Sequence, residues 1–391
     1  MKRHAAVTLA TIILGAFAPL LAQDLTITNV RIIGPNATVI ERGSIVVRGG
    51  KIASVAAGAP ASPAGKTIDA KGMTAMPGFI DGHRHINTGP NEKTQMQALL
   101  EAGYTTILSG GGPAEGNITL RDHIDKGVIN GPRIIPSGAV RLNGTADSAR
   151  ADVRKLADLG VKFAGEILLT PIPGPTEKEI ENLKAALDEA KKVGIIVQVH
   201  AVSSKAMVAA ADAGVPLLVH LPNKDWVSKE DAKKVAAAGT KVLGTVSFGS
   251  PVFGVFANDN KPRFRDGKPW PEGIIDGVRL GEEAGYMPVN ARTIWDAGVI
   301  LGYCTDTNYD PKAGLDHELK MLNVMFSMQD LVKMMGANTA SYVQMGDQIG
   351  TLEPDKLADI VLLDGDPLEG YWNWLKTKVV VKGGNVVVDK R

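Results

Sequence analysis

The stretch Met76-Pro-Gly-Phe-Ile-Asp-Gly-His-Arg-His85 decides how the chain is interpreted. Residues 74–80 form an apolar run, which predicts a buried β-strand leading into a polar end. His83 and His85 are two positions apart, and side chains two apart on a strand point to the same side. Both imidazoles can therefore reach one point, as a shared metal ion requires. Two surface histidines are the simpler interpretation of a single H-x-H. The residues at the ends of the other strands must distinguish a metal site from such a pair.

The composition is that of an ordinary globular protein. Of 391 residues, 44% are hydrophobic and 22% are charged, with a formal net charge of +1. This length suits a large domain with an accessory one. The near-neutral charge, without a basic run interleaved with aromatics, argues against nucleic acid as a partner. The single cysteine, Cys304, excludes an internal disulfide and a cysteine-rich zinc site, so a metal would need histidine and carboxylate ligands.

The first residues predict an export signal. A basic start at residues 2–4 precedes an almost unbroken apolar run over residues 5–21, and the small residue Ala22 follows. This order is typical of a secretory signal peptide. We expect cleavage after Ala22 and a secreted protein, periplasmic in a Gram-negative host. A membrane anchor is the alternative, but the run is short and carries Pro19, and the mature chain has no second run of about 20 apolar residues that would insert stably.

Two patterns divide the mature chain. Residues 23–72 and 353–391 contain short strand-like segments separated by glycine turns. Both ends need a partner sheet, so we expect them to form one β-sandwich accessory domain. Residues 73–352 alternate short apolar runs with amphipathic helical segments. Residues 249–290 interrupt this alternation with an aromatic-rich segment, which is either a functional lid or wall or a surface insertion.

Eight apolar runs in the central part are predicted strands: residues 74–80, 105–109, 133–137, 161–168, 195–202, 216–221, 241–248 and 299–305. Strands that are apolar throughout and alternate with helices favour the α/β class and a closed (β/α)₈ TIM barrel. A doubly wound open sheet is the alternative fold.

Polar residues occur at matching ends of these runs. His200 and His220 end the fifth and sixth predicted strands, Asp306 follows the eighth, and Glu166 lies in the fourth. In a TIM barrel these ends meet at one mouth, where the catalytic residues lie. With the H-x-H pair, they predict one or two divalent metal ions. Zn²⁺ is the first choice for such ligands, and Fe, Mn, Co or Ni also suit them.

The predicted chemistry is hydrolysis without a nucleophilic side chain. A divalent metal lowers the pKa of a water molecule toward about 7. Asp306 can take the proton of that water and pass it to the leaving group. A G-x-S-x-G nucleophile motif does not occur. His123 and His317 lie in helical segments and are expected to be structural.

These residues resemble the amidohydrolase superfamily over nearly the whole mature chain. Residues 77–85 are similar to its strand-one motif, and the later histidines and the aspartate match its later ligands. Asn338-Thr-Ala, Gly350-Thr-Leu and Lys356-Leu-Ala-Asp-Ile-Val-Leu-Leu-Asp-Gly-Asp-Pro367 resemble its C-terminal signature. The resemblance is to the prolidase-like and imidazolonepropionase-like branches. It implies a (β/α)₈ barrel beside a β-sandwich, one or two divalent metals, and hydrolysis of amide, ester or C–N bonds.

The fourth strand departs from part of the family. Members that bridge two metals with a carbamylated lysine would place that lysine at Gly165. Glu166 comes next and is our first choice of ligand, because glutamate serves this role in some branches. A carbamylated Lys162 is the second choice, and a single-metal site without a strand-four ligand is the third.

Several further residues have predicted roles. Arg84 should point away from the metal as a structural partner. Arg141 could meet a substrate carboxylate, or be a solvated loop residue. Tyr303 and Asn308 are predicted to line the pocket. Cys304 is predicted to be a packed core thiol.

We therefore expect a metal-dependent amidohydrolase for a small amide, such as a dipeptide or an N-acyl or aryl amide. A cyclic-amide hydrolase or deaminase, or a lactonase, could use the same residues. A non-catalytic metal-binding barrel is the alternative from another class. A small-molecule substrate is the expected partner, and the sequence leaves a homo-oligomer open.

Overall fold

A computed structural model describes residues 23–247, 278–307 and 310–391. The predicted signal peptide, residues 249–277 of the aromatic-rich segment, and Asn308 lie outside these ranges. Within them, the strands are β1 Leu25–Ile33, β2 Val39–Arg48, β3 Lys51–Ala57, β4 Lys66–Asp69, β5 Thr74–Pro77, β6 Phe79–Arg84, β7 Tyr104–Ser109, β8 Arg133–Ile135, β9 Ser137–Gly138, β10 Phe163–Leu168, β11 Ile196–His200, β12 Leu217–Val219, β13 Lys241–Gly244, β14 Leu301–Tyr303, β15 Ile360–Leu363, β16 Thr377–Lys382 and β17 Asn385–Asp389.

The α-helices of the described ranges lie mainly between the strands of the central part. They are α1 Glu92–Ala102, α2 Ala114–Asp125, α3 Ala146–Asp158, α4 Glu177–Val193, α5 Ser204–Asp212, α6 Lys229–Ala237, α7 Val278–Asp296, α8 Pro311–Asn323, α9 Met328–Lys333 and α10 Thr339–Tyr342. Helix α4 shows how the sequence sets their limits. Thr176 and Glu179 form a reciprocal capping box at its start, and Gly194 ends it with a left-handed φ of +73°.

One eight-stranded sheet contains strands from both ends of the chain. Its order is β17-β16-β15-β5-β1-β2-β3, and β4 pairs with β1. Strand β5 joins the two ends, because it pairs parallel to β1 and antiparallel to β15. The edge strand β3 also meets the segment before β15, where Ile52 N–H donates to the Lys356 carbonyl at 2.8 Å. The two ends therefore share one hydrogen-bonded sheet, while the division of the chain into domains stays a prediction.

The central part contains two parallel sheets, which places the chain in the α/β class. Strands β6, β7 and β8 form one sheet, and β9 to β14 form the other in sequence order. Strands β8 and β9 together are the third predicted strand, interrupted at Pro136, which has no N–H to donate. Strand β7 is buried along its whole length, as expected of a parallel strand covered on both sides. In the described ranges, no helix has the length and apolar character needed to span a membrane.

The first predicted strand, residues 74–80, is wrong in one respect. The structure divides it at Gly78 into β5, which belongs to the eight-stranded sheet, and β6, which begins the parallel sheet. The N–H of Gly78 donates to the Asp359 carbonyl at 2.8 Å, whereas the N–H of Phe79 donates to the Gly103 carbonyl at 3.0 Å. Asp359 directly precedes β15 and Gly103 directly precedes β7. These two consecutive amides therefore donate to segments of different sheets. His83 consequently lies inside β6 and not beyond the end of a strand.

Replacement of Gly78 by alanine should destabilise the protein. A Cβ at this position would lie 2.8 Å from the Cβ of Thr105 and 2.3 Å from its Oγ1. Thr105 is buried, so the clash should cost about 1–3 kcal/mol. Thermal unfolding should show a lower Tm for Gly78→Ala than for Gly89→Ala, where a Cβ meets nothing within 4 Å. Equal Tm values for the two variants would contradict this account.

Candidate metal centre

Six side chains converge where the parallel strands end at their carboxyl termini. They come from β6, β10 and β11 and from the residues that follow β6, β12 and β14. The six are His83, His85, Glu166, His200, His220 and Asp306. Parallel strands of one sheet end at the same edge, so residues far apart in sequence meet here. The structure therefore brings together every metal ligand that the sequence predicted, and their function as ligands stays a prediction.

Asp306 forms one half of the cluster with the H-x-H pair. Its Oδ1 lies 2.9 Å from Nε2 of His85 and 3.3 Å from Nε2 of His83. Its Oδ2 lies 3.8 Å from Nε2 of His220. The rings of His83 and His85 are nearly perpendicular, with centroids 5.4 Å apart. The two histidines thus present nitrogen atoms to the same carboxylate, as the alternation of side chains on a strand predicted.

Glu166 forms the other half. Its Oε1 lies 2.8 Å from Nε2 of His220 and also contacts Nδ1 of His200. Its Oε2 lies 3.8 Å from Nε2 of His83, which links the two halves. Three overlapping triads result, in each of which the potential ligand atoms all lie within 4.8 Å of one another. Imidazole nitrogens and carboxylate oxygens at this spacing match the ligand types of Zn²⁺ and related metals.

Buried polar atoms in the cluster lack hydrogen bonds. The approaches of Asp306 Oδ1 to Nε2 of His85 and of His83 are short but lack the angles of a hydrogen bond. Within the described residues, neither that oxygen nor either ring nitrogen of His83 has a hydrogen-bond partner. His83 is fully buried, and Asp306 is 13% exposed. An unsatisfied buried polar group costs about 1–3 kcal/mol. These atoms therefore need a further partner, and a cation bound among them would supply it.

The charges in the cluster also favour a cation. Burial alone would raise the pKa of Glu166, but the imidazoles of His200 and His220 outweigh it and hold that pKa below its ordinary value. Burial of Asp306 is likewise outweighed by His83 and His85, which lower its pKa. Both carboxylates are thus ionised at neutral pH. Burial lowers the pKa of His220 and favours the neutral ring, the form that binds metals.

Backbone conformation at two of these residues is strained. His220 has a φ of +69° and Asp306 a φ of +52°, in the left-handed region that residues with a Cβ rarely adopt. Such a conformation costs of the order of 1–3 kcal/mol and persists only where the surroundings impose it. His220 follows directly after β12 and Asp306 lies three residues beyond the end of β14, so each left-handed turn aims its side chain back at the strand ends.

The bulge in β10 brings Glu166 to the cluster. Pairing of β10 with β11 is irregular between Ala164 and Ile167, and such a bulge re-aims side chains. Gly165 makes it possible, because a Cβ there would lie 2.7 Å from Oε1 of Gln198. Lys162, our second choice, precedes β10 and is exposed. The structure thus brings Glu166 to the cluster and leaves Lys162 outside it.

A buried network that the sequence analysis missed lies beneath the cluster. Asp81 accepts hydrogen bonds from the N–H of His83 at 3.2 Å, the N–H of Thr305 at 3.1 Å and the Thr305 hydroxyl at 2.6 Å. Arg84 donates to Oγ1 of Thr305 at 3.0 Å, which agrees with its predicted structural role. The signal was present in the sequence, since Asp81 is an acidic residue that directly follows the apolar pair Phe79-Ile80.

The two predicted substrate-binding residues that the structure describes are not brought to the cluster. Tyr303 is a core residue and not a pocket-lining one, because it is 1% exposed and its hydroxyl lies 2.7 Å from that of Tyr104. Arg141 is 78% exposed and faces Asp152 at 4.0 Å. Asn308 lies outside the described residues.

The remaining cysteine and histidine predictions concern residues outside the cluster. Cys304 is a buried core thiol whose Sγ lies 3.2 Å from the Gly244 carbonyl. His123 pairs with Glu92 at 2.7 Å, away from the six. His317 lies in α8. None of the three belongs to the six clustered residues, and their structural roles stay a prediction.

Comparison with known proteins supplies the class of enzyme. The sequence pattern of the amidohydrolase family matches residues 74–387. The chain belongs to the amidohydrolase family. It is accordingly a hydrolase that acts on carbon–nitrogen bonds, and members of this family usually bind a divalent metal. The resemblance predicted from the sequence is confirmed.

Individual relatives agree with this assignment. An imidazolonepropionase from Caldanaerobacter subterraneus subsp. tengcongensis is 23% identical, over 89% of this chain and 91% of its own. An L-hydantoinase from Paenarthrobacter aurescens is 22% identical, over 88% of this chain and 86% of its own. A solved Xaa-Pro dipeptidase with bound methionine superposes with a TM-score of 0.78 at 22% identity, over 93% of this chain and all of the other. This last similarity shows a shared fold.

Metal should stabilise this protein through the cluster. Adding Zn²⁺ to metal-free protein at 100 times its Kd should stabilise it by about 2.7 kcal/mol, since only the folded state assembles the ligands. Thermal unfolding with and without metal measures this shift. His220→Asn should lose most of it, whereas His123→Asn, outside the cluster, should retain it. An undiminished shift in His220→Asn would exclude the cluster as the binding site.

Proposed function

We propose that the protein hydrolyses the amide bond of a small molecule, such as a dipeptide or an N-acyl or aryl amide, with a divalent metal held by the six clustered residues. The observation that carries the proposal is the convergence of four histidines and two carboxylates at the carboxyl ends of the strands. We further propose Zn²⁺ as the metal, because borderline-soft imidazole ligands with carboxylates suit it best.

The residues present fit such a metal. Nε2 of His83 and Oδ1 of Asp306 are buried, have no hydrogen bond and lie in the cluster, so they are atoms that a cation would bind. When bound, a divalent metal lowers the pKa of a water molecule and polarises a carbonyl oxygen. Six ligand atoms are enough for one or two ions. We infer two, because the triads overlap: His83, Glu166 and His220 each belong to two of the three.

Asp306 is the proposed general base and acid. The neighbouring imidazoles keep its carboxylate ionised, so it can take a proton from the attacking water. It then passes that proton to the leaving nitrogen, which departs as a neutral amine. His85 is the most exposed of the six, at 47%, and so lies on the side that substrate must approach.

We also infer that the eight parallel strands close into a barrel. The N–H of Asp306, after β14, donates to the carbonyl of His83 in β6 at 2.9 Å. Asp81 in β6 binds Thr305 in the same way. These contacts join the last strand of one parallel sheet to the first strand of the other. A closed barrel would explain why residues from β6 and β14 share one centre.

A cyclic amide is the second candidate substrate. It is favoured by the similarity to an imidazolonepropionase and an L-hydantoinase over most of the chain. Opening of a ring amide uses the same attack by water and leaves amine and carboxylate in one product. The choice between linear and cyclic substrates would therefore be made by the shape of the pocket, whereas the clustered residues would act on both in the same way.

Activity should depend on Asp306. A panel of dipeptides, N-acyl amino acids, aryl amides, cyclic amides and lactones should reveal a carbon–nitrogen substrate for the metal-loaded protein. On that substrate, Asp306→Asn should lower kcat by about 10²- to 10⁴-fold, because proton transfer is lost. Asp188→Asn, an exposed residue of α4, is the matched control and should keep full activity.

Two results would overturn the proposal. One is turnover of lactones alone, which would replace amide hydrolysis with ester hydrolysis. The other is an Asp306→Asn variant that retains wild-type kcat, which would remove Asp306 from the proton transfer. Metal content measured on the same samples separates loss of the base from loss of the ion.

We propose export as the location of this activity, on the basis of the basic and apolar residues 2–21. Expressed in a Gram-negative host, the protein should appear in the periplasmic fraction with Gln23 as its first residue. A variant without residues 2–22 should stay in the cytoplasm. Full-length protein recovered from the cytoplasm with residues 1–22 intact would contradict the proposal.

A further inference from the structure

His220 is held from both sides of its ring. Its Nε2 faces Glu166 at 2.8 Å, and its Nδ1 lies 3.0 Å from Oγ1 of Thr245. A histidine that binds a cation through Nε2 must carry its proton on Nδ1. The Nδ1–H of His220 then donates to Thr245, which fixes the tautomer and the plane of the ring.

Thr245 depends in turn on Glu318. Thr245 follows directly after β13, and the next two residues donate their backbone N–H groups to the Glu318 carboxylate. The N–H of Val246 reaches Oε1 at 2.7 Å, and the N–H of Ser247 reaches Oε2 at 2.8 Å. Both oxygens are therefore used, one for each consecutive amide. This pairing fixes the turn after β13, with Thr245 at its start.

The position of Glu318 is costly. Its side chain lies in α8 and is completely buried. Burial raises the pKa of Glu318 to about 8, although the two amide hydrogen bonds favour the ionised form. Glutamate is almost never fully buried without specific partners. A neutral apolar residue would fill the same space at a lower cost, so the two hydrogen bonds require an explanation.

We propose that Glu318 is a positioning residue for the metal centre, which acts through the turn after β13 and Thr245 to hold His220 in its cation-binding orientation. This inference rests on the proposed metal-dependent function. The left-handed backbone of His220, with a φ of +69°, explains why such support is needed. A strained residue returns to a more favourable conformation when the contacts that impose the strain are lost.

Metal affinity tests this proposal without a substrate. Glu318→Gln keeps the size of the side chain but replaces one acceptor with a donor, so one of the two amides loses its partner. Thr245→Val keeps the shape but removes the hydroxyl that meets His220. Loss of such an outer contact typically weakens metal binding 10- to 100-fold. We expect each variant to bind Zn²⁺ about 10- to 100-fold more weakly in competition with a chromophoric chelator.

Two further variants separate positioning from general stability. Asp359→Asn also alters a buried carboxylate that accepts a backbone N–H, from Gly383 at 2.7 Å, but in the eight-stranded sheet. It should lower the Tm and leave Zn²⁺ affinity unchanged. Thr245→Ser restores the hydroxyl and should restore affinity. The double variant Glu318→Gln/Thr245→Val should bind no more weakly than the weaker single variant, because both act through one path.

The outcomes are distinct. Wild-type protein that binds neither Zn²⁺ nor Fe²⁺, Mn²⁺, Co²⁺ or Ni²⁺ would refute the proposed function. Wild-type binding with unchanged affinity in Glu318→Gln would refute only the inference, as would independent, multiplying losses in the double variant. If Glu318→Gln does not fold, the two Thr245 variants provide the test. Equal Zn²⁺ affinity of Thr245→Val and Thr245→Ser would overturn the proposed path.

Discussion

The hydrogen bond from the N–H of Asp306 to the carbonyl of His83 is the contact on which the rest of the centre depends. It joins the residue after β14 to β6 at 2.9 Å, and so brings the last and first strands of the central part together. Asp81 strengthens the same junction by binding the N–H and hydroxyl of Thr305. Because Asp81 and Thr305 are both buried, water competes little for their hydrogen bonds. The half of the cluster formed by Asp306, His83 and His85 is assembled across this junction.

The cluster exchanges local stability for the capacity to bind a cation. Two left-handed residues, two ionised carboxylates and unpaired buried atoms all occur within one small region. Without a bound cation, each of these features raises the free energy of the folded protein. A divalent cation would offset the last two directly, since it attracts the carboxylates and occupies the lone pairs of the imidazoles. The neighbouring elements would then have to offset only the cost of the left-handed backbone at His220 and Asp306.

The residues that meet at the candidate centre could be predicted from the sequence because their placement depends on two simple periodicities. Alternation of side chains placed His83 and His85 together, and the parallel order of the strands placed His200 and His220 beside them. The division at Gly78 could not be predicted, because the apolar run continues across it and only tertiary hydrogen bonds separate β5 from β6. The prediction that Tyr303 lines the pocket failed for a similar reason. It lies three residues before Asp306, but the left-handed turn that carries Asp306 to the cluster leaves Tyr303 in the core.

Under the proposed function, the fourth strand supplies a glutamate where other family members use a carbamylated lysine. A carbamylated lysine has a longer side chain than glutamate, so a glutamate must begin from a backbone that lies closer to the centre. The bulge between Ala164 and Ile167 supplies that displacement, and Gly165 allows the close approach to Gln198 that the bulge requires. Gly165 and Glu166 are therefore needed together. Glu166 reaches the cluster only because the residue before it has no Cβ.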